Sequence, residues 1–124
     1  MDEKLERAVL KFVQTLFSGR YSDAERIAEN LEKRAKSDDE LKVARALRGL
    51  YLSYTTDDAA SIVHKTYSSG DPKSELAEYV RSMREANGGL GGASTIIEVW
   101  EVLLKNFERL PKPDRYGRKA EGSD

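Results

Sequence analysis

Gly19-Arg20-Tyr21-Ser22-Asp23-Ala24 is the stretch that decides how this chain folds, because it predicts a tight turn between two helices. Glycine often ends a helix, since it adopts left-handed backbone conformations without strain. Ser22 and Glu25 then form a capping-box pattern, which predicts a second helix from Glu25 to Lys36. The rest of the chain can be laid out as helical hairpins stacked on this one.

Apolar residues at helical spacing predict five further helices around this turn. Asp2 is the expected N-cap of the first helix, and Asp71 precedes a proline that suits the first position of the fifth. Capping-box patterns also open the third helix at Ser37 and the last helix at Thr95. The expected helices cover residues 3–18, 25–36, 37–54, 57–67, 72–86 and 95–110.

The predicted fold class is therefore all-α, with about six antiparallel helices and no strand. These helices form either stacked helical hairpins or a compact six-helix bundle. We expect a single helical domain over residues 1–110. Pro111-Lys112-Pro113 stops the last helix, and we expect residues 111–124 to be a disordered tail.

Two helices carry features that need tertiary packing to explain them. Gly49 lies in the middle of the third helix, where glycine costs about 1 kcal/mol relative to alanine, and close packing would account for it. The last helix has an apolar face opposite its charged residues, which is typical of a helix that covers a core rather than lying inside it. That face consists of Ile96, Trp100, Leu103, Leu104 and Phe107.

The composition argues against several classes of protein. The 21 basic and 22 acidic residues nearly cancel, so no global charge attracts nucleic acid or an anionic membrane. The chain has no cysteine, which excludes disulfides and zinc–thiolate sites and suits a cytoplasmic protein. No stretch approaches the roughly 18 apolar residues of a membrane span. Many Lys, Arg and Glu residues without cysteine also suit a thermophile.

The residues that usually carry catalysis are sparse, and we predict a protein that is not an enzyme and has no cofactor or metal. His64 is the only histidine, so the common histidine-based and cysteine-based catalytic sets are missing. The acidic pairs Asp38-Asp39 and Asp57-Asp58 stand at helix starts, where carboxylates cap free N–H groups. A small enzyme that uses carboxylates and arginines is the third alternative behind two binding functions.

The glycine-rich connector at residues 87–95 has two interpretations. Glycines ahead of a helix N-terminus can hold a phosphate through backbone N–H groups. The nucleotide-binding versions follow a strand and usually carry a lysine after the last glycine, and both features are missing here. A flexible hairpin connector or hinge is therefore the favoured interpretation.

The stretch Gly19–Ala24, with Ala28 and Leu31 after it, resembles the turn between the two helices of a tetratricopeptide repeat. A second copy places Leu47, Tyr51, Ala60 and Pro72 at the family's leucine, tyrosine, alanine and proline positions. Ala24 and Ala60 are 36 residues apart, close to the repeat length of about 34. The chain departs from the family pattern at Lys11, Thr15, Gly49 and His64. The resemblance covers about residues 5–72 and implies stacked hairpins whose first helices line a partner-binding groove.

Basic and apolar residues on the third and fifth helices are the candidates for such a groove. Leu41, Arg45, Arg48 and Leu52 form a stripe off the main apolar face of the third helix. A mixed arginine and leucine surface suits an acidic, partly apolar peptide. The candidate partner-binding residues are Leu41, Lys42, Arg45, Arg48, Leu52, Arg81 and Arg84.

The predicted function is a non-enzymatic protein–protein interaction module, a small scaffold or adaptor that binds a partner protein, with self-association also open. The alternative is a helical accessory subunit of a nucleoprotein complex, which would contact phosphates through the basic residues between Lys33 and Arg48. Nucleic acid is the weaker partner, because no exposed aromatic run supplies base stacking.

Overall fold

The computed structural model describes residues 1–56, 58–87 and 94–112, which form six packed α-helices and no strand. The predicted all-α class is confirmed. Connectors of two or three residues join the first five helices, and each helix contacts the next, as in antiparallel hairpins. Most of the expected tail and most of the glycine-rich connector lie outside the described residues. The helices are α1 (Glu3–Phe17), α2 (Tyr21–Arg34), α3 (Asp38–Thr55), α4 (Asp58–Ser68), α5 (Pro72–Asn87) and α6 (Ser94–Lys105), and a short 3₁₀ helix follows at Phe107–Arg109.

The turn after α1 closes with the double hydrogen bond of a Schellman motif. Arg20 N donates to Thr15 O at 3.2 Å, and Gly19 N donates to Leu16 O at 3.0 Å. Gly19 has a φ of +85°, which only glycine adopts freely. The predicted capping box at Ser22 is wrong, because α2 already begins at Tyr21. The second helix therefore begins at the residue that follows these two hydrogen bonds.

Side-chain caps at three other helix starts confirm the predictions made for them. In each case a side-chain oxygen accepts a hydrogen bond from an N–H group that the helix leaves free. At α3, Glu40 Oε1 also accepts from the N–H of Lys36 at 2.7 Å, one residue before the usual partner in a capping box. The N-cap pairs are Leu5 N to Asp2 at 2.8 Å, Glu40 N to Ser37 at 3.2 Å, and Ser74 N to Asp71 at 3.3 Å.

A chain of aromatic rings runs through the core from the first turn to the last described segment. Phe17 stacks on Tyr54 of α3 at 5.6 Å between ring centroids and meets Tyr67 of α4 edge-on at 6.4 Å. Tyr67 stacks in turn on Phe107 at 5.4 Å, and Tyr21 of α2 contacts Tyr54. This aromatic chain joins α1, α2, α3, α4 and the 3₁₀ helix.

Helix α6 packs against α1, α3 and α5, so it lies deeper than the predicted covering helix. Val99, Trp100, Val102 and Leu103 are buried, and each contributes about 2 kcal/mol by leaving water. Ile96 is 48% exposed, although the sequence pattern places it on the apolar face. The buried face therefore includes two valines that the pattern missed. The helix ends at Lys105, earlier than the predicted Leu110, and Asn106 Nδ2 donates to Val102 O at 2.9 Å there.

Replacing Gly19 or Gly49 with alanine should change the free energy of unfolding in opposite directions. An added Cβ meets no atom within 4 Å at either site, so packing does not contribute. Gly19→Ala forces a left-handed alanine and should lower the free energy of unfolding by about 1 to 2 kcal/mol. Gly49→Ala should raise it by about 0.5 to 1 kcal/mol, because Gly49 is exposed in mid-helix and no close packing needs it. Urea titration measures both values, and a loss at both sites would contradict this account.

Alkaline pH should unfold the protein as its buried tyrosines ionise. Burial raises the pKa of Tyr54, Tyr67 and Tyr79 above the ordinary 10.0, and the buried hydroxyl of Tyr67 has no hydrogen-bond partner in the described part of the chain. Above pH 10 the unfolded chain therefore loses protons that the folded chain keeps, and the free energy of unfolding falls as pH rises. Tyrosinate absorbance and helical circular dichroism should change together. Ionisation of all tyrosines near pH 10 without loss of helix would contradict the prediction.

Candidate partner-binding site

Two arginines of α3 share one carboxylate of α2. Arg48 Nη1 lies 3.2 Å from Glu32 Oε1, and Arg45 Nε lies 3.6 Å from Glu32 Oε2. The arginine side chains are 47% and 67% exposed, whereas Glu32 is more deeply buried between the helices. Two guanidinium groups therefore share one negative charge at the boundary between α2 and α3.

Two leucines lie on the same side of α3 as Arg45 and Arg48. Residues 41, 45, 48 and 52 repeat at intervals of four, three and four, which places them on one side of a helix. Leu41 is half-buried and Leu52 is 57% exposed. We call Leu41, Arg45, Arg48 and Leu52 the α3 patch. The predicted stripe is therefore present on the surface.

The other three predicted site residues lie on different surfaces. Arg84 of α5 pairs with Glu101 of α6, and Arg81 pairs with Glu78 one turn earlier on its own helix. The hydrogen bond from Arg81 to Glu78 raises the pKa of the Arg81 guanidinium. Lys42 is exposed near the start of α3. The contacts of the described residues thus connect the α5 arginines with α5 and α6, and the α3 arginines with α2.

The groove implied by the tetratricopeptide resemblance lies between the first helices of each pair, which are α1, α3 and α5. Helix α6 contacts all three of these helices and buries Trp100 and Leu103 in their common core. Lys105 of α6 also pairs with Glu6 of α1 at 3.1 Å. The chain's own last helix therefore packs where a partner segment would enter. The α3 patch instead follows the side of α3 that borders α2.

A second pair of arginines shows that shared carboxylates are not special in this protein. Arg26 Nη1 lies 3.4 Å from Asp23 Oδ1, and Arg20 Nη1 lies 4.0 Å from Asp23 Oδ2. These side chains are 68% and 63% exposed, much like the α3 arginines. An exposed large apolar side chain on the same stripe distinguishes the α3 patch. The Asp23 pair is thus a natural control for the α3 pair.

The starts of α1, α3 and α6 surround a cleft of about 200 Å³ at one end of the bundle. Its lining carries three carboxylates and one ammonium group, so its side chains are acidic on balance. Asp2 is already engaged as the cap of α1. We call this the end cleft; its charged lining residues are Asp2, Asp39, Lys42 and Glu98, and its apolar ones include Met1, Leu5 and Val43.

The described residues contain neither a converging set of metal-ligand side chains nor a helix that could span a membrane. No group of three or more histidine, cysteine or acidic side chains converges there in a way that would hold a metal ion. His64 is exposed, and its Nε2 lies 3.4 Å from the Ser68 hydroxyl. No helix in the described ranges is long and apolar enough to cross a membrane.

Sequence reasoning missed Glu32 and the end cleft. Glu32 lies on one side of α2 with Glu25 and Glu29, and all three are half-buried. Their helical spacing was visible in the sequence. Its pairing with Arg45 and Arg48 depends on how α2 docks against α3, which local patterns do not specify. The end cleft depends on the position of α6, which is set by contacts far apart along the chain.

The α3 arginines should contribute little to folding. Exposed ion pairs are worth about 0.2 to 1 kcal/mol, because water and salt screen them. Arg45→Ala and Arg48→Ala should therefore each lower the free energy of unfolding by less than about 1 kcal/mol. Urea titration of both variants at low and high salt measures this. A loss of several kcal/mol would show that the pairs with Glu32 hold the fold together.

No model of a known protein family, no curated protein and no solved structure matches this chain.

Proposed function

We propose that this chain is a non-enzymatic protein–protein interaction module that binds an acidic, partly apolar segment through the α3 patch. The observation that carries the proposal is the exposure of Leu52 beside two arginines that are only half neutralised. The tetratricopeptide resemblance supports the same class of function, because such stacked hairpins serve as scaffolds and adaptors.

The apolar part of the proposed contact is Leu52. At 57% exposure it is the most exposed large apolar side chain among the described residues. A single exposed leucine is common on soluble proteins and does not indicate a site by itself. Here it lies one turn from Arg48 on a stripe that also includes Leu41. A partner that covers this stripe would bury leucine surface and meet arginines in one contact.

The polar part of the contact comes from guanidinium groups that can bind further carboxylates. Arginine presents five N–H donors in a planar fork, and one carboxylate shared between two arginines leaves most of these donors to water. An acidic partner segment can use these donors without displacing Glu32. Because Arg45 is 67% exposed, its pairing with a partner requires little rearrangement. This favours an acidic segment over a basic or purely apolar one.

Because α6 packs against α1, α3 and α5, we propose that the partner binds on the outside of the bundle. A partner in the groove between α1, α3 and α5 would have to displace four buried side chains of α6, at about 2 kcal/mol each. The α3 patch needs no such displacement. We therefore place partner binding along the α2–α3 boundary.

Reversing the charge of the α3 arginines should abolish partner capture. The tagged Arg45→Glu/Arg48→Glu variant, purified from the native cell after crosslinking, should lose partners that the unchanged chain retains. Leu52→Ser should weaken the same capture. Mass spectrometry and nucleic-acid staining identify what is bound.

The matched control is Arg20→Glu/Arg26→Glu, which reverses the same number of charges around a shared carboxylate on α2. This variant should retain the partners. If both double variants bind every captured protein as well as the unchanged chain does, the α3 patch is not the binding surface. If nuclease treatment releases all captured material, the nucleoprotein alternative replaces this proposal.

A further inference from the structure

We infer that one partner of the α3 patch is the end cleft of a second copy of this chain, so that two copies form a dimer. This inference rests on the proposed function, because it gives the same surface a specific occupant. Two observations carry it: the location of the exposed apolar side chains and the opposite charge of the two surfaces.

The large apolar side chains that are exposed in the described residues are Met1, Leu52 and Ile96. Leu52 belongs to the α3 patch, and Met1 lines the end cleft. Ile96 lies on α6 beside Thr95 but does not line that cleft, so Met1 is the exposed apolar side chain of the cleft. Each of the two surfaces therefore carries apolar surface that the fold leaves uncovered, and a contact between them would cover both.

The charges of the two surfaces are complementary. The α3 patch has two guanidinium groups against the carboxylate of Glu32. The side chains that line the end cleft include three carboxylates and one ammonium group. Complementary charge steers encounter and disfavours the contact of each surface with itself. Glu98 and Asp39 are the cleft carboxylates we expect to meet Arg45 and Arg48, since both are exposed.

The arrangement on α3 allows two copies to make this contact twice. Lys42, which lines the cleft, and Arg45, which belongs to the patch, lie one turn apart on α3. Adjacent surfaces on one helix can pair reciprocally across a two-fold axis, the commonest symmetry of protein oligomers. We therefore infer a two-fold dimer in which each patch faces the other copy's cleft.

Charge exchange between variants tests this pairing. Arg45→Glu/Arg48→Glu places acidic groups on the patch, and Asp39→Lys/Glu98→Lys places basic groups at the cleft. Each variant alone should dimerise more weakly than the unchanged chain, because both of its contacts now join like charges. An equal mixture should form a dimer with one copy of each, since both of its contacts again join opposite charges.

Sedimentation velocity at protein concentrations up to about 1 mM measures these states and detects dimers with dissociation constants up to about 1 mM. The unchanged chain should dimerise, and each double variant should weaken dimerisation about tenfold or more. Added salt should weaken the dimer of the unchanged chain, and Leu52→Ser should weaken it at every salt concentration. Circular dichroism confirms that each variant is folded, and Arg20→Glu/Arg26→Glu should dimerise normally.

Two results would overturn this inference. One is an unchanged chain that is monomeric at every concentration, and the other is a dimer that survives both double variants. The first result leaves the proposed function intact if the α3 variant still loses a partner in the capture experiment. If the unchanged chain captures no other protein but dimerises normally, the proposal of an external partner fails and the inference of a dimer stands.

Discussion

The packing of Phe17 is the interaction on which the rest of the fold depends. Its ring lies between Tyr54 of α3 and Tyr67 of α4, at the point where α1 ends and the Gly19 turn begins. Aromatic pairs of this kind contribute about 0.5 to 1.5 kcal/mol each beyond the burial of their surface. Tyr21, on the far side of the turn, contacts Tyr54 as well, so the backbone turn and the ring contacts fix the same geometry. The first hairpin is thereby oriented on the second.

The proposed binding surface is separate from this core, and the separation has a physical reason. Side chains that hold α3 in place, such as Leu47 and Tyr54, are almost fully buried and are not available to a partner. Arg45, Arg48 and Leu52 project from the other side of the same helix, where exposed ion pairs contribute little to folding. Helix α3 therefore supports the fold on one side and presents an independent surface on the other.

Much of the helical architecture was predictable because the signals for it are local. Asp2, Ser37 and Asp71 cap the helices that their positions indicated, and all six helices exist. The start of α2 was not predictable from Ser22, because hydrogen bonds across the Gly19 turn outweighed a plausible cap. The buried face of α6 was missed for a different reason. A helix that touches three others buries residues on more than one side, so Val99 and Val102 are covered while Ile96 is left at the open end. The α3 stripe was found, but its acceptor Glu32 depends on interhelical docking.

The contacts between α1 and the last described segment have a consequence for synthesis. Gln14 Nε2 donates to Arg109 O at 3.0 Å, and Lys105 binds Glu6, so the first helix is completed by residues translated long after it. Between Phe17 and Lys105 the ribosome adds 88 residues, which takes about 4 to 18 s at typical rates. During that interval α2 and α3 can pack on α1, but the part of α1 that α6 covers stays open. The first helix therefore reaches its final packing only after α6 has left the ribosome.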